Sequence, residues 1–136
     1  MITAIDTNIL LDVFLPDPKF VSSSSLLLRE AYDEGALIVS SIVFAELVPQ
    51  FGSRESLLYA VEKLNVRTSS IDDEVALLAG MKWKEYRRAG GSRKRIISDF
   101  LIGAHAVLRA ERFLTRDRGF YHTYYPDLEY FDTPDT

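Results

Sequence analysis

Four of the twenty acids in the chain stand where acids are not expected. Asp6 closes the apolar stretch Ile2-Thr3-Ala4-Ile5, and Glu46 is the only charge in Ile42-Val43-Phe44-Ala45-Glu46-Leu47-Val48. Asp99 opens the apolar run Asp99 to Ala106 directly after Ser98, and Asp117 follows Phe113-Leu114-Thr115-Arg116. Each has an ordinary role open to it. Asp6 can cap a helix, Glu46 can belong to a solvent stripe, Asp99 can sit in a dipole-favoured first turn, and Asp117 can be a turn acid paired with Arg116 or Arg118. Gathered in one place they would do more, because two carboxylates about 4 Å apart repel by roughly 4 kcal/mol at an effective dielectric near 20 and need a proton or a cation. The chain has no cysteine and only His105 and His122, so the ligands on offer are hard oxygens, and these select Mg2+ or Mn2+. His105 reads as a hydrogen-bonded packing residue, and His122 as part of an aromatic cover, Phe120 to Tyr125.

The elements that must position these acids follow from short apolar runs alternating with longer helical patterns. Strands are predicted at residues 2–5, Ala36–Ser40, Asn65–Thr68, Arg112–Thr115 and Leu128–Phe131. Helices are predicted from Phe20 to Glu34, stopped by Gly35, from a Ser40 or Ser41 cap to about Phe51, and from a Ser53 cap to Leu64. Two more run from Val75 to near Gly90-Gly91 and from Ser98 to about Glu111. Asp117 falls in a turn closed by Gly119. The alternation implies right-handed crossovers and a mainly parallel sheet in a single α/β domain over residues 1–136. In such a sheet the strand exits at Asp6 and Asp117 and the first turns carrying Glu46 and Asp99 fall on one edge, where sites form. Gly103 and Ala106 lie beneath Asp99 and let that helix face approach neighbouring backbone.

Composition narrows the setting. The 47% hydrophobic and 26% charged content is that of an ordinary globular protein, and the absence of cysteine fits a reducing compartment. No apolar run reaches membrane-span length and the N-terminus lacks a signal-like core, so a cytoplasmic protein without a membrane partner is expected. The net charge of -4 argues against a generally basic nucleic-acid binder, yet residues 82–95 hold seven bases against one acid, leaving -10 for the remainder. Arg93, Lys94 and Arg95 abut the helix of Asp99 and are candidates for gripping nucleic-acid phosphates; the ordinary reading of the run is a solvated helix end. Trp83 and Tyr86 read as partly core rather than as base-stacking residues.

Asp6-Thr7-Asn8, Glu46, Ser98-Asp99 with its Ala-rich helix, and Thr115-Arg116-Asp117 together resemble the acidic signature of the PIN domain, most closely its short VapC-type ribonuclease toxins. The resemblance covers Ile2 to about Phe131. It implies a Rossmann-like α/β/α sandwich and metal-assisted hydrolysis of RNA phosphodiester bonds by Mg2+ or Mn2+, leaving 5'-phosphate and 3'-hydroxyl ends. The matching positions imply that Asp6, Glu46, Asp99 and Asp117 hold the metal directly or through water, with Asp6 and Asp99 as principal ligands, Glu46 orienting or deprotonating the water and Asp117 completing the cluster. Thr7, Asn8 and Thr115 match supporting residues. One departure weakens a second metal site: Gly119 stands where many relatives carry another acid. The resemblance also implies a homodimer and a small antitoxin that covers the site, with apolar contacts from the Leu26 to Leu28 and Tyr59 regions. Two other classes remain open, a non-catalytic PIN-like module binding RNA or protein, and a phosphoacceptor domain. The second fits poorly, because Asp6 is followed by Thr-Asn and the late strand ends without a lysine.

Overall fold

Ile2–Ile5 and Ala36–Ser40 are nearly continuous in apolar character and buried on both faces, as strands covered by helices on each side must be. The computed structural model describes residues 1–92 and 95–131. Its strands are β1 (Ile2–Ile5), β2 (Ala36–Ser40), β3 (Val66–Ser69), β4 (Arg112–Leu114) and β5 (Glu129–Tyr130). They form one all-parallel sheet in the order β3-β2-β1-β4-β5. From central β1 the chain steps outward to β2 and β3, then crosses back to β4 on the other side, so the order reverses between β1 and β4. That reversal opens a crevice at the carboxyl ends of these two strands.

Among the described residues the helices are α1 (Thr7–Phe14), α2 (Val21–Glu34), α3 (Ser41–Leu47), α4 (Arg54–Lys63), α5 (Asp73–Arg88), α6 (Ile97–Arg109) and α7 (Arg118–Tyr124). Ser40 and Ser53 cap α3 and α4 through their side chains, as their sequence positions imply. The helix after Ser40 is shorter than expected. It gives way at Leu47 to a 3-10 turn, Val48–Gln50, because Pro49 has no amide hydrogen to continue the α-helical ladder. Asn65 takes a left-handed φ of 58° to end α4, so β3 begins one residue later than predicted. Gly119 does not close a turn; it is the second residue of α7.

The helices that carry the site are tied together by rings. Phe100 on α6 lies 5.4 Å from Tyr86 of α5, and 5.2 and 5.5 Å from Phe120 and Tyr124 of α7. The close approach expected at Gly103 is real, but it is to an aromatic ring rather than to backbone. A Cβ at Gly103 would stand 2.3 Å from Tyr125, whose hydroxyl donates to the Phe100 carbonyl at 2.8 Å. Gly103→Val is therefore expected to cost about 2 kcal/mol by overpacking; an unchanged urea midpoint would contradict this contact. No helix among the described residues is long and apolar enough to cross a membrane.

Candidate active site at the β1–β4 switch point

Asp6 sits one residue beyond β1, and its amide donates to the Leu114 carbonyl at 2.9 Å, which locks the ends of β1 and β4 together. Its carboxylate is held from several sides. One oxygen accepts from the Thr7 amide at 2.8 Å; the other accepts from the Thr115 hydroxyl at 2.6 Å and from Asn8 Nδ2 at 3.3 Å. Thr115 in turn accepts from the Asp117 amide at 2.9 Å, and Asn8 Oδ1 accepts from the Arg116 amide at 3.3 Å. The three small polar residues picked out beside the acids thus knit both strand exits into one unit.

Only 6% of Asp6 is exposed. Burial pushes its carboxyl up to about 6 against the lowering effect of the Thr115 and Thr7 hydrogen bonds, and the nearby charges of Glu46 and Asp117 push the same way. Glu46 reaches the group from α3, exposed to solvent, with its Oε1 accepting from the Thr7 hydroxyl at 2.6 Å. Asp99 lies in the first turn of α6, where one oxygen accepts from the Ile96 amide at 3.1 Å. Asp117 occupies the position before α7 without making a capping bond.

Asp6, Glu46, Asp99 and Asp117 line one open cleft of about 560 Å3, with Thr7, Asn8 and Tyr121 at its walls. Among the described residues, a larger concavity of about 740 Å3 beside β3 is lined by a single acid, Glu62, and so lacks converging carboxylates. The four predicted acids are brought to one edge, but not into a closed cage: among the described residues no three acids or histidines are drawn tightly enough to grip an ion as they stand. The cause is visible in their partners. Asp117 is engaged by Arg95 through two bonds of 2.5 and 3.1 Å, Asp99 turns partly to its helix end, and Glu46 is held by Thr7.

Arg95, one of the three phosphate candidates, is itself bound to an acid of the cleft. It lies on Asp117 with its guanidinium 4.1 Å from the Phe120 ring centroid, a cation already drawn to the acids. Asp117 pairs with neither of the neighbouring arginines expected for a turn acid. Arg93 and Lys94, the other two phosphate candidates, lie outside the described residues.

A family model for the PIN domain matches residues 3–125. The chain belongs to the PIN domain family. Solved structures with the same fold include VapBC2 from Rickettsia felis bound to a DNA fragment from its promoter, with TM-score 0.71 and 21% identity, covering 96% of this chain and 98% of that one. VapBC-1 from nontypeable Haemophilus influenzae gives TM-score 0.70 and 25% identity, with 97% and 98% covered. A toxin-antitoxin complex from Klebsiella pneumoniae gives 0.67 and 18%, with 98% and 99% covered. Comparison with curated protein sequences gives no match.

One feature of this PIN domain is missed by the sequence reading. Asp12 on α1, only 3% exposed, accepts from Arg116 Nε at 2.9 Å and Nη2 at 3.0 Å and from the Ser24 hydroxyl at 2.6 Å. Arg116 also lies 3.8 Å from the Phe20 ring centroid. The network clamps the loop between Thr115 and Asp117 to α1 and α2. The signal was present, since Asp12 is the lone charge in Ile9 to Phe14, the criterion that singled out Glu46. Asp12→Ala is expected to cost about 3 kcal/mol by stranding a cation in a largely buried setting. A loss under about 1 kcal/mol in chemical denaturation, the range of a surface pair, would show that the clamp is not structural.

Proposed function

We propose that the protein is a Mg2+- or Mn2+-dependent endoribonuclease and the toxin of a type II toxin-antitoxin pair. The observation that carries the reading is the convergence of four carboxylates at the switch point of a PIN fold, with the most buried of them short of positive charge. The donor set suits a hard divalent ion: every side-chain oxygen offered is a carboxylate or a neutral oxygen, and neither histidine lines the cleft. Asp6 and Asp99 would hold the ion, with Asp117 completing the set when Arg95 releases it. Bound there, the ion supplies a Lewis acid that makes water a better nucleophile and offsets charge building on the phosphate.

The remaining work falls to the chain itself. Thr115 and the Thr7 amide fix the Asp6 carboxylate, so that it needs little reorganisation to meet a cation. Glu46, exposed and oriented by Thr7, is placed to accept a proton from the attacking water. Arg95 stands beside the cleft as a cation that can pass from Asp117 to an entering phosphate, with Arg93 and Lys94 next to it in sequence.

The toxin assignment rests on the likeness to the VapBC and toxin-antitoxin complexes, and brings with it an antitoxin partner and a homodimer as proposals. Leu26 and Tyr59, 57% and 64% exposed, offer apolar contact area for such partners, whereas Leu28 is buried in the core. The test is cleavage of an RNA pool in Mn2+ by wild type and Asp99→Asn. The expected result is cleavage abolished by EDTA and lost in the variant; equal cleavage by both proteins would overturn the assignment.

A further inference from the structure

The last turns of α5 carry an arrangement that the carboxylate site does not use. Trp83, the only tryptophan of the chain, is half-buried and forms one wall of a surface cleft of about 380 Å3 with Gly80, Lys84, Arg87 and Arg88. The Arg87 guanidinium lies 5.1 Å from the Trp83 ring centroid. No acid among the described residues lines the cleft. Among the described residues Lys82, Arg95, Arg109, Arg112 and Arg116 pair with carboxylates, whereas Lys84, Arg87 and Arg88, like Arg29, Arg54, Lys63 and Arg67, do not. What sets these three apart is that they share one cleft with an aromatic ring. Dipole stabilisation accounts for Arg87 and Arg88 in the last turn, but not for the ring or for Lys84.

Gly80 adds an independent observation. It lies inside α5, where glycine weakens a helix, yet a Cβ at this position would meet nothing within 4 Å. Packing does not demand a glycine there. The absent side chain instead leaves open the floor of the cleft, one turn from Trp83.

We infer that the cleft of Gly80, Trp83, Lys84, Arg87 and Arg88 is a stacking platform for single-stranded RNA, an inference that rests on the ribonuclease reading and names how its substrate is held. A base stacks on the Trp83–Arg87 pair, while Lys84 and Arg88 neutralise the flanking phosphates. The strand must be single because a duplex hides its base faces. In chain order the platform helix is followed by the site helix: α5 ends at Arg88, and the next helix, α6, carries Asp99 in its first turn.

Because Trp83 is the sole tryptophan, its emission reports on the platform directly. Wild-type protein in EDTA is titrated with a short single-stranded oligoribonucleotide, with a matched duplex, and with a polyglutamate peptide. Saturable quenching by the single strand alone is expected. Gly80→Leu fills the floor and favours the helix, so affinity should fall about tenfold while the melting temperature holds or rises. Lys84→Ala with Arg88→Ala should reduce the dependence of log affinity on log salt by about 1.4, roughly 0.7 for each lost phosphate contact. Unchanged emission with the single strand, equal quenching by duplex or peptide, or full affinity in Gly80→Leu would each overturn the platform. The titration needs no metal, so the two readings separate. Cleavage in Mn2+ without quenching removes the platform alone, and quenching without cleavage sustains the platform and removes the nuclease.

Discussion

Asp6→Asn is expected to make the metal-free protein more stable and the nuclease inactive. In the folded state burial lifts the Asp6 carboxyl to about 6 from its ordinary 3.8. The folded protein therefore binds a proton that the unfolded chain releases, and the stability this contributes is present below about pH 4 and lost as pH rises through 6. Above pH 6 the wild type carries a penalty of about 3 kcal/mol for a buried, ionised group, and the neutral amide relieves about 1 to 3 kcal/mol of it. The same change removes a charge that the ion needs. Partners of metal ligands are themselves worth about 10- to 100-fold, so loss of a principal ligand should lower cleavage by more than about a hundredfold. Urea denaturation in EDTA at pH 7.5 and RNA cleavage in Mn2+ read the two halves. An Asn variant less stable than wild type would show that Asp6 is held as a structural cap, not as a charge waiting for a counter-ion.

The pH dependence of stability should be flat in the wild type and steep in that variant. His105, 1% exposed on α6, has its pKa lowered to about 4 by burial, with the Arg109 charge adding to the effect and Asp72 opposing it. Its Nε2 has no hydrogen-bond partner among the described residues, so the side chain is a buried neutral base rather than the hydrogen-bonded packing residue expected. The unfolded chain, with an ordinary histidine near 6.5, binds the extra proton between about pH 4 and 6.5. Stability from His105 is thus complete above 6.5 and falls by about 3 kcal/mol as pH drops to 4. Asp6 works in the opposite sense over nearly the same window, gaining stability as pH falls from 6 toward 3.8. The two contributions largely cancel until Asp6→Asn removes one of them. Denaturation midpoints from pH 4 to 7 should change little in the wild type and drop steeply toward acid in the variant. Parallel profiles would contradict the pairing of these two groups.

The parts of this fold that were legible in the sequence are those fixed by near neighbours. Ser40 and Ser53 cap helices three residues away, the run Ile2 to Ile5 marks a central strand, and Gly35 ends α2. Asp6, Glu46, Asp99 and Asp117 were recognisable because each interrupts an apolar stretch, and their placement on one cleft follows from the parallel order of strands. What was not legible depends on partners distant in sequence. Arg95 meets Asp117 across 22 positions, and Arg116 meets Asp12 across 104, so neither pairing leaves a local pattern. Gly119 looked like a turn residue, but packing of Phe120, Tyr121 and Tyr124 against neighbouring rings draws it into α7. Trp83 is a different case: its neighbours Gly80, Lys84, Arg87 and Arg88 are local, but only the folded helix shows that the half-buried ring shares a cleft with them.

The central claim is that the switch-point acids hold a divalent ion, and anomalous diffraction from crystals grown in Mn2+ tests it most directly. The expected result is a peak about 2.0 to 2.2 Å from an Asp6 oxygen, within reach of Asp99, with Arg95 withdrawn from Asp117. A crystal saturated with Mn2+ that shows no peak in this cleft, with Arg95 still paired to Asp117, would contradict it.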